Sequence, residues 1–387
     1  MFHKAVSMSG SPRLDQTLKD AAEPGKGWHW EVVRNTRCAN YTSTARDMRS
    51  APLLSCLYSL SAQELVDATP EDWDPSGIWS LEFFGSIPYA PLLVIDGHVL
   101  PQPYVAFAAP GSNPASPAPA GPVNDVPVMI GVTRQEVDFA PKDLVMQMSP
   151  EQLRQLVAAS VRPQYGDVFV QQVLQMYLPA DAGARRAADG TAKAAVPPSD
   201  PLGLQKAYAD IISDGEELCN NLVFANYLRD TFRSSNSAVY AYAVSQPPAT
   251  PFCELAQFNE HNGTSYCPLY SFHGIDMFWL FAPQSTDPSG DYRPFKYNFT
   301  PSDESFTRVL RSRFVEFART GRVASWREFK SPPPEPRWPS SPFSWLDDGT
   351  SYSVIDLKTA DEPVALFKQR ECRLWLGAGF YNKSWIN

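Results

Sequence analysis

Apolar positions along this chain fall into runs of two kinds. Val126 to Thr133 is almost continuously apolar over the length of a strand, and Ala238-Val-Tyr-Ala-Tyr-Ala-Val244 repeats the pattern with β-branched and aromatic residues. Segments apolar on both faces belong inside a parallel sheet, where helices cover both sides. Ala5-Val-Ser-Met-Ser9 predicts a shorter strand ending in Gly-Ser-Pro. Leu92 to Gly97 reads as extended and turns at Asp-Gly, and Ser351 to Leu357 as a late strand at a sheet edge. The remaining runs have helical spacing. They cover Leu14 to Glu23, stopped by Pro24-Gly25, then Ala62 to Asp67, and Leu204 to Phe232. A further helix opens with Ser149 as N-cap and Pro150 in its first turn. Phe306, Val309, Leu310, Phe314 and Phe317 mark a helix over Ser305 to Thr320 that Gly321 ends. Arg370 to Gly377 closes the series as a helix or extended tail. Strands separated by long helical stretches indicate an α/β sheet, and no internal repeat is present.

Composition narrows the function classes. Hydrophobic residues make up 43% of 387, an ordinary globular share, and the formal charge is −9. That acidity argues against nucleic-acid binding, which needs a clustered basic face. No run of 18 apolar residues exists to form a transmembrane helix, and Met1 to Pro12 lacks the apolar core of a signal peptide. The 37 prolines collect partly in loops such as 106–125 and Ser331 to Pro336, and the Ala, Gly and Pro of 180–200 suggest a mobile insert. Six cysteines occur, none as Cys-x-x-Cys, which argues against a zinc site. With Asn-x-Ser/Thr triplets at Asn40, Asn262, Asn298 and Asn382, they point to an oxidising, secreted compartment. The missing leader contradicts that, unless the sequence preceding Met1 has been lost.

Three segments carry the chemistry: Met1-Phe-His-Lys-Ala-Val-Ser-Met-Ser-Gly-Ser-Pro12, Pro127-Val-Met-Ile-Gly-Val-Thr-Arg-Gln-Glu136 and Ser271-Phe-His273-Gly-Ile-Asp-Met-Phe278. Four more follow the same order: Ser55-Cys-Leu-Tyr-Ser-Leu-Ser-Ala-Gln-Glu-Leu65, Val94-Ile-Asp-Gly-His-Val-Leu-Pro101, Val315-Glu-Phe-Ala-Arg-Thr-Gly321 and Cys372-Arg-Leu-Trp375. Together they resemble the type-B carboxylesterases, the cholinesterase-like branch of the α/β-hydrolases, over nearly the whole chain. The resemblance implies a partial α/β-hydrolase fold: three parallel strands, an edge strand and flanking helices, forming one C-terminal portion over residues 1–387.

It also implies two members of a Ser-His-Glu triad. His273 would be the general base and Glu136 the acid that fixes its tautomer. Phe139 would line the substrate gorge, or simply pack in the core. The family usually has Glu where Asp276 stands and Gly where Val137 stands. Cys38 with Cys56 and Cys219 with Cys372 fit the family's pairs, and Cys253 and Cys267 remain to pair with each other. The substrate implied is a small carboxylic ester, with no metal or organic cofactor. The nucleophile should sit in a Gly-x-Ser-x-Gly elbow. No such segment exists here; Gly263-Thr-Ser265-Tyr-Cys267 and Gly349-Thr-Ser351-Tyr-Ser353 lack the last glycine. Ser7, Ser9 and Ser11 lie one element beyond the elbow, and the glycine-rich oxyanion loop is missing too. The chain therefore reads as an inactive fragment of an esterase, open to complementation by an N-terminal segment. The other reading is a non-catalytic recognition or adhesion module.

Overall fold

The computed structural model describes residues 2–10, 28–41, 50–69, 96–98, 124–139, 145–178, 201–232, 237–253, 267–281, 297–329, 346, 353–358, 362–365 and 367–378. Their centre is a five-stranded sheet. Strands β1 (Ala5–Met8), β2 (Val128–Thr133), β3 (Val239–Val244), β4 (Ser353–Leu357) and β5 (Glu362–Ala365) lie side by side in chain order. The first four run parallel, and β5 returns antiparallel against β4.

Every residue of β2, β3 and β4 is buried, as the near-continuous apolar runs of β2 and β3 require; β4 buries Ser353 and Asp356 as well. Alternate side chains separate into two cores. Ile130, Val132, Ala241 and Ala243 face one layer with Leu153, Tyr208, Leu222 and Trp375. Met129, Tyr240, Tyr242 and Ile355 face the other with Phe306, Phe317 and Trp326. Gly131 stands opposite Tyr242 in register, and a Cβ on it would lie 2.0 Å from the tyrosine ring. Only glycine leaves room for that ring against the strand.

Among the described residues, α1 (Trp28–Arg34), α2 (Ala51–Tyr58) and α3 (Ala62–Asp67) precede β2. Ser61 and Glu64 cap α3 reciprocally. Between β2 and β3 lie α4 (Pro150–Tyr177), α5 (Pro201–Ser213) and α6 (Cys219–Thr231). Ser149 and Gln152 form a capping box at the start of α4, and Gly166, at φ 75°, kinks it. A wide π-turn, Asp214–Leu218, joins α5 to α6 and buries Asp214, Glu216 and Glu217. Between β3 and β4 lie α7 (Ile275–Phe281) and α8 (Pro301–Thr320); Thr300 caps α8, and Gly321 ends it at φ 75°. Helix α9 (Gln369–Gly377) packs last, so the segment from Arg370 is helical.

Two expectations need correction. Ser353–Leu357 is interior, because β5 covers its outer side, and the parallel set has four strands rather than three. Glu362-Pro-Val-Ala365 escapes a hydrophobic reading because it is short and holds a proline, which edge strands tolerate. The helix expected over 14–23, most of the extended 92–97 segment, nearly all of the 106–125 loop and the 180–200 insert lie outside the described residues. All three cysteine pairs are bonded, with Cα separations of 5.8 Å for Cys38–Cys56, 5.1 Å for Cys219–Cys372 and 4.4 Å for Cys253–Cys267.

Candidate functional site

In parallel α/β sheets, chemistry collects beyond the carboxyl ends of the strands. The candidate residues lie there. Glu136 opens a 3₁₀ turn, Glu136–Phe139, three residues past the end of β2. His273 precedes α7, in a loop held near its start by the Cys253–Cys267 bond. Although 137 positions apart, the two meet: His273 Nδ1 lies 2.8 Å from Glu136 Oε2. The backbone N–H of His273 donates to the Glu136 carbonyl at 2.9 Å, so the loops join at backbone and side chain alike.

Glu136 is fully buried, while 26% of the His273 side chain is accessible. Two donors hold the other carboxylate oxygen. The Ser9 hydroxyl reaches Oε1 at 2.6 Å and the Thr133 backbone N–H at 2.5 Å. The two donors on Oε1 fix the orientation of the Glu136 carboxylate and leave Oε2 to accept from His273. Its partner nitrogen on His273 then carries the proton, leaving Nε2 as the basic position.

Burial pushes the pKa of His273 down, but the hydrogen bond and charge of Glu136, helped by Asp276, more than reverse this, and the net direction is upward. Asp276 is itself 1% exposed; burial and the Glu136 charge raise it to about 7. The Glu136 charge thus acts upward on both His273 and Asp276 at this end of the sheet.

Ser9, which the sequence places one element beyond any elbow, takes a supporting place that the sequence reading misses. It follows β1, is 2% exposed, has φ 51°, and supports the carboxylate. The available signal was its position: a polar residue at the carboxyl end of the strand beside β2. Phe139 ends the Glu136 turn, and its side chain lies outside the described residues. Asn40 and Asn298 are exposed, whereas Asn262 and Asn382 fall outside the description. Among the described residues, no cluster of three His, Cys, Asp or Glu could hold a metal ion, and no helix is long and apolar enough to cross a membrane.

The family model described as "Carboxylesterase family" matches residues 1–375. Acetylcholinesterase of Bungarus fasciatus is 23% identical over 331 residues, which cover 83% of this chain and 43% of that protein. The crystal structure of Aspergillus niger EstA aligns with a TM-score of 0.54 at 17% identity, over 99% of this chain and 59% of that one. A PNB esterase structure aligns at 0.52 and 15%, over 97% and 57%. These likenesses place the sheet among α/β-hydrolase folds. The chain spans less than half of the acetylcholinesterase and under three fifths of each esterase.

Proposed function

Because this chain belongs to the carboxylesterase family, we propose that Glu136 and His273 are the acid and base of an ester-hydrolysing Ser-His-Glu site whose serine comes from sequence outside these 387 residues. The observation that carries the reading is the 2.8 Å contact of a partly open imidazole with a buried, doubly supported glutamate. In that role His273 Nε2 takes the proton of the serine hydroxyl as the serine oxygen bonds to the ester carbonyl. It then returns the proton to the leaving alcohol, and a water repeats the sequence to free the acid. Glu136 holds the Nδ1–H tautomer and stabilises the imidazolium formed at each transfer. This acyl-serine route draws on neither a metal nor an organic cofactor.

Residues 1–387 are accordingly the C-terminal portion of the catalytic domain. Among the described strands β1 pairs with β2 alone, and it leaves Val6 41% and Phe2 57% exposed. Such an edge suits a further strand from an N-terminal segment bearing the nucleophile. Three disulfides suit an exported protein, with Asn40 and Asn298 as accessible glycosylation acceptors. An adhesion module would have no need of a supported Glu–His pair, so that pair favours catalysis.

The test is hydrolysis of a chromogenic short-chain ester. The purified chain is expected to show no turnover. Joined to an upstream segment with Gly-x-Ser-x-Gly it should hydrolyse the ester, and His273→Ala should lower kcat by about 10³-fold or more. Turnover by the chain alone that vanishes in His273→Ala would mean that the nucleophile lies within these residues.

A further inference from the structure

Asp138 lies two residues past Glu136 in the same turn and is 1% exposed. Its carboxylate reaches two other elements. Oδ2 accepts from the backbone N–H groups of Leu269 and Tyr270, both at 2.8 Å, and Oδ1 accepts from the Gln205 amide of α5 at 2.6 Å. Leu269 and Tyr270 lie between Cys267 and His273. Two backbone bonds continue the seam: Gln135 N–H to the Ser271 carbonyl and His273 N–H to the Glu136 carbonyl, both at 2.9 Å. The segment 135–138 is thus laced to 269–273 along its length. The N–H groups of Leu269 and Tyr270 belong to no strand or helix, and both residues are partly buried, where backbone donors need an acceptor. A short carboxylate, with two oxygens and no donor, can serve both N–H groups and Gln205 together.

We propose that Asp138 is a positioning residue, which grips Leu269 and Tyr270 and so sets the register of the His273 loop against the turn that carries Glu136. The proposal rests on the Glu–His reading above, and Asp138 acts only through the loop. Losing it releases two backbone donors four and three residues before His273, and the loop no longer has one fixed height against Glu136. The short contact from Nδ1 to Oε2 depends on that height. The effect should depend on acceptor geometry rather than on charge. In Asp138→Asn the retained oxygen can still bridge Leu269 and Tyr270, while the new NH₂ faces Gln205. Gln205 Oε1 makes no hydrogen bond among the described residues, so a flipped Gln205 amide can accept from that NH₂.

Proton NMR of the full chain tests this with two readouts: the far-downfield Nδ1–H signal of His273, assigned by its loss in His273→Ala, and the His273 titration midpoint. Glu136 and Asp276 are the titrating groups that face this imidazole. Wild type and Asp138→Asn are expected to keep the downfield signal and a midpoint above 6.5, the ordinary value. Asp138→Ala should lose the signal and shift the midpoint down toward 6.5. The proposal is overturned if Asp138→Ala leaves both unchanged, or if Asp138→Asn fails as badly as alanine. Should the alanine variant not fold, Asp138→Ser, with one acceptor on a shorter arm, carries the test. A partial fall in midpoint is then expected, and an unchanged midpoint overturns the idea. If wild type itself shows neither signal nor raised midpoint, the Glu136–His273 pairing fails first and the proposal falls with it.

Discussion

At the residue scale, pH acts on this site in one direction. His273 has a folded pKa above its unfolded value, so its contribution to stability is full below about 6.5 and fades as pH rises through the folded value. Asp276 works in the same sense. Its pKa moves from 3.8 to about 7 through burial and the Glu136 charge, so it favours the fold while protonated and progressively less as pH climbs between those values. Asp276→Asn is expected to flatten the fall of melting temperature between pH 3.8 and 7, and to match wild type at the acid end. Curves that stay parallel would show that Asp276 is ionised throughout. Glu136 and His273 were legible in the sequence because each sits in a short string of residues with a family counterpart. Ser9 and Asp138 were not, because their work is done across 127 and 131 positions of chain, and neither stands in a local pattern that announces a distant partner.

At the element scale, β2 and β3 declared themselves through near-continuous apolar runs, and the helices through their caps at Ser149 and Gly321. The sheet margin did not, since burial of Ser353–Leu357 depends on a proline-bearing strand with no apolar run of its own. Contacts between elements give three sharp tests. Gly131→Ala would push a methyl into the ring of Tyr242, and such overpacking costs roughly 1–3 kcal/mol. Chemical denaturation should show that loss, and a Tyr242→Leu background should recover most of it. The second test concerns the π-turn. Asp214 accepts from Lys368 Nζ at 2.7 Å and from the Tyr177 hydroxyl at 2.8 Å, and Trp375 donates to that same hydroxyl at 2.9 Å. This buried group ties α9 to the core beside the Cys219–Cys372 bond. Lys368→Met leaves Asp214 without its counter-charge, for a loss of about 3–5 kcal/mol in the same assay, reduced if Asp214 takes up a proton instead. Replacing both Cys219 and Cys372 with serine should cost about 2–5 kcal/mol.

At the scale of the whole molecule, the sheet and its two covering layers place one candidate half-site at the strand ends: His273, the supported Glu136, and the loops that hold them in register. An esterase needs a nucleophile and an oxyanion site opposite that half. The fold was legible because strands and helices alternate in clean runs, and the Glu136–His273 contact because both residues stand in segments that resemble carboxylesterase segments. A serine-directed fluorophosphonate gives the most direct measurement of the central claim, since it bonds covalently to a serine activated by a neighbouring base. The chain should be tested alone and after joining to an upstream segment with Gly-x-Ser-x-Gly, each as wild type and His273→Ala, with the labelled residue located by peptide mass spectrometry. The account expects no labelling of the chain alone, labelling of the elbow serine in the joined protein, and a rate about 10³-fold or more lower in His273→Ala. Labelling of a serine within residues 1–387, or a joined protein whose labelling ignores His273, would contradict it.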